Sequence, residues 1–132
     1  MSKHDVRHPD KRVSTGAYSA GILTDDGWLY VSGQGPLDLA TGAVLLGTIE
    51  EETTQTLEHV EKIVQAAGGT VDDIVKCAVH LADIWEFPRF NEAYRAFFAS
   101  RGVSVLPART TVGSQLYGGI RVEIDAVARI GR

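Results

Sequence analysis

Ile120-Arg121-Val122-Glu123-Ile124-Asp125-Ala126-Val127-Ala128, the run 120–128, alternates without a break. Ile120, Val122, Ile124, Ala126 and Ala128 fall on one side, and Arg121, Glu123 and Asp125 on the other. A period of two becomes an apolar face and a polar face only in an extended chain, so the run reads as a strand against a core. Something must cover that face. From Thr48 the period changes: Ile49, Thr53, Leu57, Val60, Val64 and Ala67 recur at intervals of three and four and form one helical stripe. Thr48 is placed to cap this helix, with Glu51 three residues on completing a capping box, and Gly68-Gly69 ends it. A second helix, around Arg89 to Ser100, offers Phe90, Ala93, Tyr94 and Phe97 to the core.

The remaining segments read as strands and turns. Ser19–Thr24 and Trp28–Gly33 are extended runs joined by Asp25-Asp26-Gly27, a hairpin turn, and Pro36 through Gly42 is loop. Ile74–Leu81 is a strand with Val75, Cys77, Val79 and Leu81 on one side, and Thr110–Val112 is a short one before the final run. The order ββαβαββ is that of an α+β sandwich, a mixed β-sheet with two helices on one face. Trp28, Tyr30 and Ser32 alternate with Leu29 and Val31, and Ile74 and Ala78 with Val75 and Val79, so several strands carry apolar groups on both faces. Two helices cover only one, which predicts that another subunit covers the second.

With 132 residues and 44% hydrophobic content, the chain is the size of one domain, 1–132, able to bury a core without staples, and residues 1–13 read as a loosely ordered N-terminal segment. That segment has neither the apolar stretch of a signal peptide nor transit-peptide character, no run approaches a membrane span, and a cytoplasmic location is the expectation. Cys77 is the one cysteine, so no intrachain disulfide forms and no Cys/His cluster offers zinc its preferred ligands. The 13 Lys and Arg against 17 Asp and Glu are scattered and leave a net charge of −4, which argues against a nucleic-acid partner. Ser32-Gly33-Gln34-Gly35-Pro36 matches no phosphate-binding pattern, and Phe97-Phe98 with Trp85, Phe87 and Phe90 read as core rather than a base-stacking platform.

Pro107-Ala108-Arg109-Thr110-Thr111 and the run 121–126 bring an arginine and a carboxylate into what reads as one antiparallel neighbourhood. The planar fork of Arg109 can hold a substrate carboxylate through two parallel hydrogen bonds; the alternative is a structural ion pair with Glu123 or Asp125. Glu123 can activate a water as general base where solvent is excluded, or it is a solvated carboxylate on an outward face. His80 can reach a cleft or be a surface histidine, and Cys77 on the core face behaves as a small hydrophobe.

Val31-Ser32-Gly33-Gln34, Val64-Gln65-Ala66-Ala67-Gly68, Asp73-Ile74-Val75-Lys76, Phe90-Asn91-Glu92-Ala93-Tyr94, Pro107-Ala108-Arg109 and Val122-Glu123-Ile124-Asp125-Ala126 together, in this order and spacing, resemble the reactive intermediate deaminase (Rid, or YjgF-type) family from Tyr18 to about Ala128. The resemblance implies a chorismate-mutase-like fold assembled as a homotrimer with a central barrel and a site in each intersubunit cleft. It implies cofactor-independent hydrolysis of 2-imino or enamine acids to 2-oxo acids and ammonia, a 2-iminobutanoate/2-iminopropanoate-type deaminase acting on C=N bonds. Arg109 then grips the substrate carboxylate, Glu123 positions water, and Tyr18, Ser32 and Asn91 line the cleft. Many members carry a cysteine where this chain has Thr111, so any role at that position falls to the Thr111 hydroxyl or backbone. Tyr117, in the loop 113–119, is expected near the pocket. A non-catalytic trimer binding 2-oxo acids or amino acids, and an RNA-directed inhibitor, are the competing readings; chorismate-mutase activity would share the fold only.

Overall fold

A computed structural model describes residues 2–131. The final strand is extended with one face against the core, as its alternation predicts, and it lies in the interior of the sheet. Among the described residues six strands form one sheet in the order β1-β2-β3-β6-β4-β5: β1 Lys3–Val6, β2 Gly21–Thr24, β3 Trp28–Gln34, β4 Ile74–Leu81, β5 Ala108–Gly113 and β6 Val122–Arg129. The helices α1 Ile49–Ala66 and α2 Phe87–Ser100 pack on one face. Val122, Ile124, Ala126 and Ala128 of β6 point beneath them and are buried, while Glu123 and Asp125 are only half-buried. Side chains buried to that degree contribute about 1.5–3 kcal/mol each for Val, Leu, Ile and Phe, so this face holds the fold. No helix of the described residues is long and apolar enough to cross a membrane.

The helix ends follow the sequence closely. Thr48 accepts from the Glu51 N–H at 3.1 Å while the Glu51 carboxylate accepts from the Thr48 N–H at 2.9 Å, the reciprocal capping box. Ile49, Thr53, Leu57, Val60 and Val64 are buried as the stripe requires, joined by Ile63. Gly27, at φ +91°, closes the β2–β3 turn with its N–H on the Thr24 carbonyl at 3.0 Å; a Cβ there would enter the Ile130 carbonyl.

Several expectations are corrected. Residues 3–6 form the edge strand β1, paired antiparallel with β2, so the N-terminal segment is not loose throughout. His8 then packs edge-to-face on His59 of α1, ring centroids 5.2 Å apart, anchoring the segment. On β4 a register shift between Ile74 and Lys76 turns Ile74 into the core and leaves Val75 exposed, the reverse of their assigned faces. Trp85 stands 88% exposed in a short 3-10 turn, not in the core with Phe90. Finally, β5 pairs with β4 in parallel, and β4 separates it from β6, so Arg109 and Glu123 are not antiparallel neighbours. The helix α2 between β4 and β5 is the crossover that parallel strands need.

Candidate active site

Arg109 lies second in β5, an edge strand, opposite Cys77 of β4. Cys77 is buried in the core, so the arginine on the same face projects beneath α2. Its guanidinium carbon sits 4.7 Å from the Tyr94 ring centroid and 5.5 Å from those of Phe87 and Phe90. These rings come from one face of α2, spaced three and four residues apart, and attract the cation through their π-faces. Arg109 forms no ion pair with any described residue. Stacked on these rings, Arg109 lines a cavity of about 250 Å³ together with Asn91, Tyr94, Arg95, Leu106 and Pro107. Of the residues picked from the sequence, Asn91 and Arg109 are thus brought together, and the structural ion pair with Glu123 or Asp125 is not formed.

Beneath this cradle the chemistry is quiet. Burial pushes the Cys77 thiol up to about 11, so it stays protonated and inert, as its core position predicts. Burial likewise raises the Tyr94 phenol far above its usual range. Thr111 lies on the same side of β5, opposite Val79, with its hydroxyl buried and without a partner.

Glu123 stands on the other face of the sheet. It alternates with the core residues Val122 and Ile124 and lies directly across from His80 of β4. A bulge in β3 between Val31 and Gln34 brings Gly33 against the Glu123 carboxylate so closely that a Cβ on Gly33 would collide with Oε2. Beside it the Ser32 hydroxyl donates to the Ser19 carbonyl at 2.6 Å, and Tyr18, half exposed, precedes Ser19. Ser32 and Glu123 are therefore neighbours on the helix-free face, whereas Tyr18 hydrogen-bonds Thr15 Oγ1 at 2.6 Å with the Lys11 ammonium 5.5 Å from its ring centroid, among N-terminal residues. His80 receives or gives a hydrogen bond at Nδ1 with Ser114 Oγ at 2.8 Å, and Asp125 is raised by burial, with His80 and Lys76 opposing the shift. Tyr117 is 92% exposed in a 3-10 turn.

Two candidate half-sites result: Arg109 with Asn91 under α2, and Glu123 beside Ser32 on the opposite face. The sheet separates them within one chain. Of the residues that line or support the first, Phe87 and Tyr94 read from the sequence only as core residues and Arg95 does not stand out; the signal is the spacing of Asn91, Tyr94 and Arg95 on one helical face. Among the described residues no group of three or more His, Cys, Asp or Glu side chains is placed to hold a metal ion.

The endoribonuclease L-PSP family matches residues 9–130. A 2-iminobutanoate/2-iminopropanoate deaminase of Rattus norvegicus is 40% identical over 117 residues, covering 88% of this chain and 82% of the relative. A RutC family protein of Saccharolobus solfataricus is 41% identical over 115 residues, 86% of this chain and 87% of its own. Among solved structures, the E. coli YjgF gene product superposes with a TM-score of 0.87 at 31% identity, covering 97% of this chain and 99% of that one. E. coli TdcF with bound serine gives 0.87 at 29% identity, again over 97% and 99%.

Proposed function

This chain belongs to the endoribonuclease L-PSP family, the Rid or YjgF-type proteins, and on that premise we propose that it hydrolyses 2-imino or enamine acids to 2-oxo acids and ammonia. The observation that carries the reading is Arg109: an unpaired guanidinium stacked on Tyr94, beside the Asn91 amide, at the mouth of a small cavity. Such a group binds a carboxylate through two charge-assisted hydrogen bonds and fixes its plane. The name of the rat relative and the serine bound to TdcF point to the same class of small amino-acid-derived ligand.

The chemistry asks little of the protein. Water adds to the iminium carbon, a proton leaves the attacking water, and the resulting carbinolamine expels ammonia as its hydroxyl becomes the carbonyl. Holding water and imine in contact supplies most of the acceleration, and a positioned base takes the proton. Glu123 is that base in this reading. No metal or organic cofactor has a step to perform.

Because the sheet separates Glu123 from Arg109, the reading requires a second copy to bring the two half-sites together. β5 is at the sheet edge, so the rim bearing Arg109 is open to such a copy, and exposed Tyr30, Val75 and Val112 are apolar groups for it to cover. The assembly we propose is the homotrimer. Light scattering at micromolar concentration should give three chains; a monodisperse monomer would leave the site incomplete and sink the reading. A ribonucleolytic role, which the family description names, needs a free basic surface, whereas Arg89, Arg101 and Arg121 are held by Glu50, Glu61 and Glu86. Generating imines in place with an amino acid oxidase and following their loss by semicarbazide trapping tests the activity. Unchanged trapping with the purified protein would replace hydrolysis by ligand binding alone.

A further inference from the structure

We propose, on the reading of Arg109 as the carboxylate anchor, that Arg95 is a specificity residue that selects substrates bearing a second carboxylate, so that the preferred class is the imines of acidic amino acids. Asn91, Tyr94 and Arg95 are at positions i, i+3 and i+4 of α2 and line the Arg109 cavity together with the apolar Leu106 and Pro107. Two arginines therefore line one small cavity whose lining includes no carboxylate. Binding a monocarboxylate neutralises Arg109 and leaves the other cation without a use.

Arg95 is not committed elsewhere. Its contact is a 3.8 Å approach to Glu92 one turn back, with the two side chains 59% and 74% exposed, a pair that contributes little and yields to a better acceptor. Arg109 is held in place by its rings, whereas Arg95 is free to swing, so the first fixes the reacting end and the second follows the length of the side chain. The volume of about 250 Å³ lies below that of pockets for drug-sized ligands and suits a short-chain diacid. The same pair of charges steers anions to the cavity mouth.

The test compares imines generated from glutamate or aspartate with those from alanine, for wild type, Arg95→Gln and Arg95→Lys. Arg95 is on an exposed helix face, so neither substitution threatens the fold. Wild type should favour the acidic imines by about five- to tenfold in kcat/KM, an advantage that shrinks with added salt. Arg95→Gln should lose that advantage through KM, its loss on the acidic imines exceeding any loss on the alanine imine by about five- to tenfold, and Arg95→Lys should restore most of it. Equal losses on both substrates, or a wild type that favours the alanine imine, overturn the assignment while leaving the deaminase reading intact. If wild type turns over no imine, that reading fails instead, and calorimetric titration with 2-oxoglutarate and pyruvate decides the selectivity: preference for 2-oxoglutarate that Arg95→Gln abolishes supports Arg95, and no preference overturns it.

Discussion

Glu52 and Glu123 stand on opposite sides of one sheet and are used differently. Glu52, in the first turn of α1, is 1% exposed. Its Oε1 accepts from the Arg121 N–H at 2.7 Å and its Oε2 from the Gly47 N–H at 2.9 Å, so one carboxylate ties the helix start, the loop before it and the entry to β6 together. Glu123 is half-buried, lies over the bare backbone of Gly33 and faces His80, with no helix above it. The Glu52 carboxylate is consumed in holding backbone groups. That of Glu123 is left available, as is the Arg109 guanidinium on the helix side, and a group that reacts must be available.

Breaking the comparison should show first in stability. Glu52→Ala leaves two backbone N–H groups unsatisfied at about 1–3 kcal/mol each, so urea denaturation should register a loss of about 3 kcal/mol or more, while Glu123→Gln should unfold within about 0.5 kcal/mol of wild type. Similar losses for the two would show that both carboxylates are structural. In activity the order inverts: Glu123→Gln should lower kcat about a hundredfold with ligand binding retained. Arg109→Ala should lower kcat/KM by about ten- to a hundredfold, chiefly through binding, with lysine a poor substitute because it lacks the fork. Full activity of Arg109→Ala would move the anchor elsewhere.

A smaller effect sharpens the contrast through histidines. Burial, with His59 second, lowers His8 from 6.5 to about 4, and His59 is lowered by burial too. Above pH 6.5 both states of the chain carry these rings neutral and the docked segment keeps its full stability. As pH falls from there the released segment takes up protons that the docked one refuses, so docking weakens progressively until about pH 4, where docked His8 also protonates. Hydrogen-exchange protection at Lys3–Val6, taken relative to the intrinsic exchange rate at each pH, should fall across that window and lose most of its pH dependence in His8→Phe. Least of all, Cys77→Ala should leave turnover within about a few-fold, since the thiol only fills space; abolished turnover in a folded variant would contradict its place in the core.

The alternation of 120–128, the stripe from Ile49 and the Thr48–Glu51 box were legible because each is a local pattern with one physical solution. The faces of Ile74 and Val75 were not: a bulge adds a residue to one strand, and nothing in a run of apolar residues marks where it falls. The site was legible in part. Arg109 and Asn91 do meet, yet the sequence placed Arg109 beside Glu123 because their segments are close in the chain.

By itself the sequence determined which residues face a core wherever a run keeps its period unbroken, as in 120–128 and the stripe from Ile49, since side-chain direction there is set by backbone period alone. Only the tertiary structure decided which strands are neighbours. β6 inserts between β3 and β4, and β5 joins the edge in parallel through α2. That choice depends on long-range burial under two helices, which no local period encodes, and it is what puts Arg109 and Glu123 on opposite faces.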